Sequence, residues 1–78
     1  MLRKRNVKPG LLTRTKIASL LEGGSFTARM LSERTDAVYS SVLYHLHLME
    51  YEAIVARKGR RPYHWALTGA GQKSLGQI

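Results

Sequence analysis

The chain has 78 residues, of which 44% are hydrophobic and 23% charged, and this composition is typical of one small globular domain rather than a disordered segment. It contains no cysteine, which excludes a disulfide framework, a thiolate zinc site and a cysteine nucleophile. Thirteen lysine and arginine residues against five acidic residues give a net charge of +8, which attracts polyanions, nucleic acid before anionic membranes.

The positive charge is concentrated in two segments of the chain. Residues 1–16 hold six basic and no acidic side chains, residues 57–61 hold four basic ones, and the remainder holds three basic and five acidic ones. Residues 1–10 show no hydrophobic period and end in Pro9-Gly10, which predicts a basic N-terminal arm followed by a single domain over residues 11–78. A solvated surface that only keeps the protein soluble is the alternative interpretation of this charge.

The first helix is predicted to begin at Thr13, whose hydroxyl can accept a free backbone N–H of the first turn. Leu12 and Ile17 flank this threonine at the spacing of a hydrophobic staple, which fixes how the chain enters a helix. Gly23-Gly24 is predicted to end the helix, because glycine adopts the left-handed cap conformation at little cost.

The same start signal is repeated at Thr27, where Phe26 and Leu31 occupy the two staple positions. A short second helix is therefore predicted after Thr27, through about Arg34. Thr35-Asp36 predicts a turn whose aspartate caps the helix that follows.

The third helix is predicted over residues 37–51. At about 100° per residue, an apolar stripe falls on one side of this helix: Val38, Val42, His45, Leu46 and Met49. Uncharged polar side chains fall on the other side: Ser40, Tyr44, His47 and Tyr51. Hydroxyls, phenols and imidazoles can hydrogen-bond and stack, which suits contact with base edges in a DNA groove. An uncharged surface that meets a protein partner is the alternative.

The hydrophobic period then changes from 3.6 to 2, which predicts a β-hairpin. Its strands are expected over residues 53–58 and 63–67, and its basic turn over residues 59–62. Trp65 alternates with other apolar residues and is expected in the core, whereas His64 is expected to face solvent. Thr68 is then expected to cap a short last helix through about residue 75.

This order of elements predicts a mostly α, α+β fold: a winged helix-turn-helix with a three-helix core, a two-stranded β-hairpin wing and a short C-terminal helix. In that arrangement the third helix enters the major groove of DNA. The hairpin then lies beside it over the phosphate backbone.

The motifs of the second half of the chain resemble the ArsR/MarR-like winged-helix transcription regulators, especially small archaeal members. The resemblance rests on residues 45–55, residues 57–68 and Gly71, and extends over about residues 12–75. That family tends to show a His-Leu pair late in the recognition helix, a Leu-Val strand start and a basic wing. A Leu-Thr pair with a nearby glycine opens its last helix.

The sequence departs from that pattern at the ends of the third helix. Asp36 stands where the family usually has glycine, Val38 where it has a polar cap, and Ala53 replaces a frequent glycine before the first wing strand. The cysteine and histidine sets of the metal-sensing branch are also missing, which speaks against metal sensing.

The resemblance implies which side chains contact DNA. The recognition-helix surface falls on Tyr39, Ser40, Ser41, Leu43, Tyr44 and His47. The helical wheel independently supports Ser40, Tyr44 and His47. It places Tyr39 and Leu43 on the flanks of the helix and Ser41 nearer the core. The wing contacts fall on Arg57, Lys58, Arg60 and Arg61. Basic side chains of the predicted arm would add phosphate contacts: Arg3, Lys4, Arg5 and Lys8.

No residue pattern predicts catalysis, a cofactor or a metal site. His45 and His47 diverge by about 200° on a helix, so they cannot bind one metal together. His45 is expected to be a hydrogen-bonded core residue. The five acidic residues are dispersed and no glycine-rich phosphate loop is present, so an enzyme is not expected.

The sequence therefore predicts a double-stranded DNA-binding transcription regulator in the cytoplasm, associated with the nucleoid, without a membrane segment or a small-molecule effector. It is expected to be a homodimer, because it is small and has leftover apolar residues near its ends: Leu11, Leu12, Leu75 and Ile78. The exposed face of the third helix offers no Arg, Lys, Asn or Gln, the commonest base readers. A sequence-tolerant architectural or chromatin protein is therefore one alternative, and a winged-helix protein-interaction module is another.

Overall fold

The structure is a computed structural model that describes residues 9–71 of the chain. Its elements follow in the order α1 (Pro9–Leu21), β1 (Phe26–Thr27), α2 (Ala28–Thr35), α3 (Tyr39–Tyr51), β2 (Val55–Lys58) and β3 (His64–Leu67). Residues 69–71 are helical as well, and the rest of the predicted last helix lies outside the described residues. No helix within residues 9–71 has the length and apolar character to span a bilayer.

Helix α1 begins at Pro9, earlier than the predicted start at Thr13. Proline is well suited to the first position of a helix, because its missing N–H would have no helical partner there and its φ is already helical. Pro9-Gly10, predicted to close the basic arm, therefore belongs to the first turn of α1. The predicted arm contacts, Arg3, Lys4, Arg5 and Lys8, lie outside the described residues.

Helix α2 begins as predicted, but Asp36 after its end has a different role from the predicted one. The hydroxyl of Thr27 accepts a hydrogen bond from the backbone N–H of Met30 at 3.1 Å, which confirms the predicted cap. Asp36 has φ 60°, so it forms the left-handed cap at the end of α2. Val38, not Asp36, is the N-cap residue of α3, and it makes no side-chain cap hydrogen bond.

Helix α3 begins at Tyr39, two residues later than predicted. Its predicted inner face is confirmed at Val42, Leu46 and Met49, which are all buried. The prediction was wrong for Val38, which is 68% exposed because its extended backbone takes it off the helical period. His45 was expected in the core with a hydrogen bond, but it is only half-buried and its described contact is with the Tyr44 ring.

The wing is part of a three-stranded antiparallel sheet in the order β1-β3-β2. The predicted hairpin is confirmed as β2 and β3, although β2 begins two residues later and β3 one residue later than predicted. Strand β1 was not predicted, and it places Phe26 opposite Trp65. Trp65 is 2% exposed and His64 is exposed, both as predicted. A two-residue strand shows no hydrophobic period, so the sequence gives no signal for β1.

All three helices and the sheet meet in one hydrophobic core. Its buried members from the helices are Ile17, Ala18, Leu21, Ala28, Leu31, Val42, Leu46 and Met49, and from the sheet Val55 and Trp65. The result is the predicted mostly helical, α+β arrangement of a winged helix-turn-helix. One face of α3 packs inward on this core, and the opposite face is left to solvent.

Thr68 joins the end of β3 to the turn before β2. Its hydroxyl donates to the Ala53 carbonyl at 2.6 Å, and its N–H donates to the Ile54 carbonyl at 2.9 Å. The same hydroxyl accepts from the Gly71 N–H at 3.0 Å, which confirms Thr68 as the predicted cap. The base of the wing is therefore held at a fixed place relative to the end of α3.

Candidate nucleic-acid interface

An open groove of about 910 Å³ runs between α2, α3 and the wing, which we define as residues 55–67. Helix α3 contributes Tyr39, Leu43 and His47 to one wall. The wing contributes a second wall, and the start of α2 closes the third side. Two of the surfaces predicted to contact DNA therefore face one shared space.

The α3 wall contains three of the six predicted recognition residues. Tyr39, Leu43 and His47 are spaced four residues apart, so they lie along one flank of the helix. Tyr39 is 52% exposed and His47 is exposed, whereas Leu43 also packs against the core. The His47 ring lies 5.9 Å from the Trp65 ring, so this wall touches the wing where the sheet enters the core.

The other predicted recognition residues are not among those that line the groove. Ser40 and Tyr44 are exposed on the ridge of α3, directly opposite its buried face, and Ser41 is half-buried. Tyr44 is 61% exposed and its ring meets the His45 ring edge-on at 5.4 Å. Tyr51, at the end of the same ridge, is 91% exposed. The ridge and the groove flank together give α3 a broad uncharged outer surface.

The wing carries its free cations at and beside its turn. Lys58, Arg60 and Arg61 are exposed and form no ion pair within the described part of the chain, and Arg61 also lines the groove. The turn needs Gly59, whose φ of +77° is disfavoured for residues with a side chain. Arg60 and Arg61 follow Gly59 in this short turn, and both are exposed.

Arg57 differs from the other basic wing residues because it already has partners. Its Nε lies 3.1 Å from Oε2 of Glu50 on α3. Its guanidinium carbon lies 5.0 Å from the centre of the Tyr63 ring and 5.7 Å from that of Trp65. The positive charge of Arg57 is therefore compensated inside the molecule.

The acidic residues are arranged around this surface in distinct ways. Glu50 pairs with Arg57, and Glu52 pairs with Arg14 of α1. The hydrogen bond from the Arg14 guanidinium lowers the pKa of the Glu52 carboxyl, against an opposing effect of desolvation. Glu33 is the one acidic side chain among the described residues that line the groove.

The α2 wall of the groove was not predicted from the sequence. Thr27, Arg29 and Ser32 line it, and Arg29 is exposed near the start of α2. Helix α2 holds two arginines, Arg29 and Arg34, whose five-residue spacing does not put them on one face of the helix. The only signal for Arg29 was its place beside the capped start of the helix that precedes α3.

Residues 9–71 contain no group of three or more His, Cys, Asp or Glu side chains placed to hold a metal ion. His47 is exposed beside the groove, whereas His45 lies half-buried on another side of α3. This divergence agrees with the spacing of the two residues on a helix. The surface offers aromatic rings, hydroxyls and guanidinium groups, which are groups that bind by stacking, hydrogen bonding and charge.

No protein-family model and no curated protein matches this chain. Among solved structures, it is similar to the Zalpha domain from Carassius auratus PKZ in complex with Z-DNA, with a TM-score of 0.73 and 21% identity over 78% of this chain and 100% of that one. It is also similar to a MarR family transcriptional regulator from Silicibacter pomeroyi, with a TM-score of 0.79 and 22% identity over 85% of this chain and 48% of that one.

A possible transcriptional regulator for arsenical resistance gives a TM-score of 0.72 and 23% identity over 83% of this chain and 69% of that one. The chain thus spans the whole length of the Zalpha domain but about half the length of the MarR family regulator. Likeness at these identities concerns the fold, and it confirms the winged helix-turn-helix.

Proposed function

We propose that this chain binds double-stranded DNA and acts as a transcription regulator, with α3 in the major groove and the wing over the phosphate backbone. The observation that carries this proposal is the shared groove, which brings the uncharged flank of α3 and the free arginine Arg61 of the wing to one side of the molecule. Helix and wing can then contact one duplex at the same time.

The wing tip supplies the charge that this function needs. Lys58, Arg60 and Arg61 are exposed and unpaired within the described residues, so they can neutralise phosphates without breaking an internal contact. Phosphate contacts provide most non-specific affinity and position the protein on the duplex. Arg29 on the opposite wall can reach the same backbone from the other side of the groove. The basic arm, with Arg3, Lys4, Arg5 and Lys8, would add further phosphate contacts.

The outer surface of α3 supplies hydrogen-bonding and stacking groups. Tyr39, Leu43 and His47 lie on the groove side, and Ser40 and Tyr44 lie on the ridge. Hydroxyl groups can donate to or accept from several base edges, and aromatic or aliphatic groups can contact a thymine methyl. Ser41 is half-buried and lies farther from the proposed contact.

A second candidate function is binding that reads duplex shape rather than base sequence. From Tyr39 to Tyr51, α3 contains no Arg, Lys, Asn or Gln, and these are the commonest partners of base edges. Shape and backbone contacts would then carry the selectivity. The fold neighbour in complex with Z-DNA makes a left-handed duplex one of the shapes to examine.

Titration of three labelled duplexes separates these functions: sequences selected from a random pool, unselected random sequence, and an alternating CG repeat held in the left-handed form. A regulator prefers the selected duplex over random DNA by about 10³-fold or more. A ratio well below this value supports a sequence-tolerant role, and a preference for the left-handed repeat supports conformational recognition. Absence of duplex binding even at low salt would overturn DNA binding and favour a protein-interaction module.

A matched pair of variants tests whether the wing is the contact surface. Arg61→Ala removes a groove cation, and Lys16→Ala removes the same charge from an exposed position on α1 that does not line the groove. We expect Arg61→Ala to weaken binding to every duplex and Lys16→Ala to change it little. Equal effects of the two variants would mean that only overall charge matters.

We further propose that the chain functions as a homodimer in the cytoplasm, bound to chromosomal DNA. Leu12 on α1 is 47% exposed, and the other predicted contact residues, the Leu11 side chain, Leu75 and Ile78, lie outside the described part. Two protomers would occupy half-sites about 34 Å apart or a multiple of that distance. Sedimentation over a range of concentrations tests this, and a single monomeric species with and without DNA would contradict it.

A further inference from the structure

Arg57 lies where three parts of the molecule meet. It stands on β2 directly opposite Trp65 of β3, and its Nε donates to Glu50 near the end of α3 at 3.1 Å. Its guanidinium also covers the Tyr63 and Trp65 rings at 5.0 and 5.7 Å. One side chain therefore connects the recognition helix to both strands of the wing.

These contacts fix the side chain and occupy its charge. A carboxylate at one edge of the guanidinium and aromatic rings against its face restrict the orientations that the side chain can adopt. A DNA phosphate that approached Arg57 would also approach the Glu50 carboxylate, and the two anions repel each other. Lys58, Arg60 and Arg61 carry no such neighbour among the described residues.

We propose that Arg57 is a positioning residue that sets the angle of the wing against α3, and not a phosphate contact as the sequence predicted. This inference rests on the proposed function, because it concerns the groove into which the duplex would bind. The side chain lines that groove together with His47 and Arg61, so a change in wing angle alters the distance between the two DNA-contacting walls.

The alternative is that Arg57 binds phosphate and that Glu50 weakens this contact. The two interpretations give opposite results for Glu50→Gln, which removes the ion pair but leaves the arginine charge in place. A positioning role predicts weaker DNA binding, because the wing loses its fixed angle. A phosphate-contact role predicts tighter binding, because the arginine is released.

Glu22→Gln is the matched control, since it removes the same negative charge from an exposed residue beyond α1 that forms no ion pair within residues 9–71. Against the control, we expect Glu50→Gln to weaken binding of a random duplex by about fivefold, the upper range for one exposed ion pair. Tighter binding of Glu50→Gln than of Glu22→Gln would overturn the proposal.

The salt dependence of binding gives a second, independent test. Each phosphate contact contributes about 0.9 to the slope of log affinity against log salt. Arg61→Ala is therefore expected to reduce the slope by about this amount per protomer. Arg57→Ala is expected to lower affinity with the slope unchanged. A fall in the slope for Arg57→Ala equal to that of Arg61→Ala would identify Arg57 as a phosphate contact.

A measurement without DNA keeps this inference separate from the proposed function. Backbone amide relaxation of Gly59, Arg60, Arg61 and Tyr63 is expected to report larger nanosecond motion in Glu50→Gln and Arg57→Ala than in wild type and Glu22→Gln, at unchanged helix content. An unchanged wing in both variants would overturn the positioning role even if DNA binding is confirmed. Failure of the wild-type chain to bind any duplex would overturn the proposed function alone.

Discussion

Two backbone positions beside the wing set narrow limits on which residues fit. Ala53 has φ 66°, in the left-handed region, where the Cβ of an L-residue is crowded by the following carbonyl. Gly71 lies so close to the Ile54 backbone that an added Cβ would overlap the Ile54 carbonyl oxygen. The backbone at Ala53 is strained by the side chain that it carries, and position 71 has no room for a side chain.

Gly71→Ala is expected to lower the free energy of unfolding by about 2 kcal/mol, because the overlap is with backbone and cannot be relieved by a rotamer change. Gly69→Ala is the control, since a Cβ there meets nothing within 4 Å. Chemical denaturation measures both variants. An equally mild effect at the two positions would show that the backbones of residues 54 and 71 can move apart at little cost in free energy.

Ala53→Gly is expected to raise the free energy of unfolding by about 0.5 kcal/mol, because the relief of the left-handed strain exceeds the added chain entropy. For a domain of this size, the melting temperature then rises by about 2–4 °C. Ala56→Gly in β2 is the control and is expected to lower stability, since the strand backbone gains nothing from glycine. A melting temperature reduced by both substitutions would argue against strain at Ala53.

At the scale of elements, the end of α3 is tied to its neighbours by two acidic residues. Glu50 pairs with Arg57 of the wing, and Glu52 pairs with Arg14 of α1. Their carboxylates therefore contact opposite parts of the fold, although they are only two positions apart. Both pairs are partly exposed, so each contributes little to overall stability and more to the relative position of the elements.

The pairing with Arg14 makes the attachment of α1 dependent on pH. The pKa of Glu52 lies below its ordinary value of 4.5 in the folded chain, so the pair stabilises the fold above that pH and is lost as the pH falls through the lowered pKa. We expect Arg14→Gln to lower the free energy of unfolding by about 0.5 kcal/mol near neutral pH, after allowance for solvent screening, and by progressively less as the pH falls below 4.5.

Unfolding curves of wild type and Arg14→Gln between pH 2 and 7 measure this dependence. Lys16→Gln serves as the control. It removes the same charge from the same helix, and Lys16 forms no ion pair within the described residues. A difference between wild type and Arg14→Gln that stays constant across this range would show that the arginine acts by packing and not through Glu52.

At the scale of the whole molecule, the proposed DNA surface combines an uncharged helix face with separate cationic edges. The net charge of +8 belongs to the whole chain, and the described residues place free cations at the wing tip and at Arg29. Affinity and specificity are therefore expected to depend on different side chains.

A dimer that contacts about four phosphates per protomer has an expected log–log salt slope of roughly −7. Replacement of Arg60 and Arg61 by alanine is expected to weaken binding to all sequences and flatten that slope. Replacement of Ser40 or Tyr44 is expected to reduce the ratio between selected and random duplexes and to leave the slope unchanged. Equal behaviour of the two groups of variants would contradict this division of roles.

The sequence by itself determined the features that depend on local spacing. The buried face of α3, with Val42, Leu46 and Met49, follows from a 3.6-residue period. The Thr27 and Thr68 caps follow from the hydrogen bonds that a hydroxyl can make within one turn. The two wing strands and the burial of Trp65 follow in the same way from a two-residue alternation, and the basic turn is the segment between those strands.

Only the tertiary structure decided the features that depend on which elements meet. Strand β1 exists because β3 lies beside it, and two residues carry no period of their own. The groove lies along Tyr39, Leu43 and His47, and not along Ser40 and Tyr44, because the wing packs against that flank of α3.

The difference between Arg57 and Arg61 has the same origin. The two arginines look alike in the sequence, but only Arg57 comes within reach of Glu50 when the sheet folds back on α3. Local periods and caps are set by interactions between residues that are close in the sequence, so they can be recognised from the sequence alone. Partners and groove walls are set by packing between distant segments, which the chain acquires only when it folds.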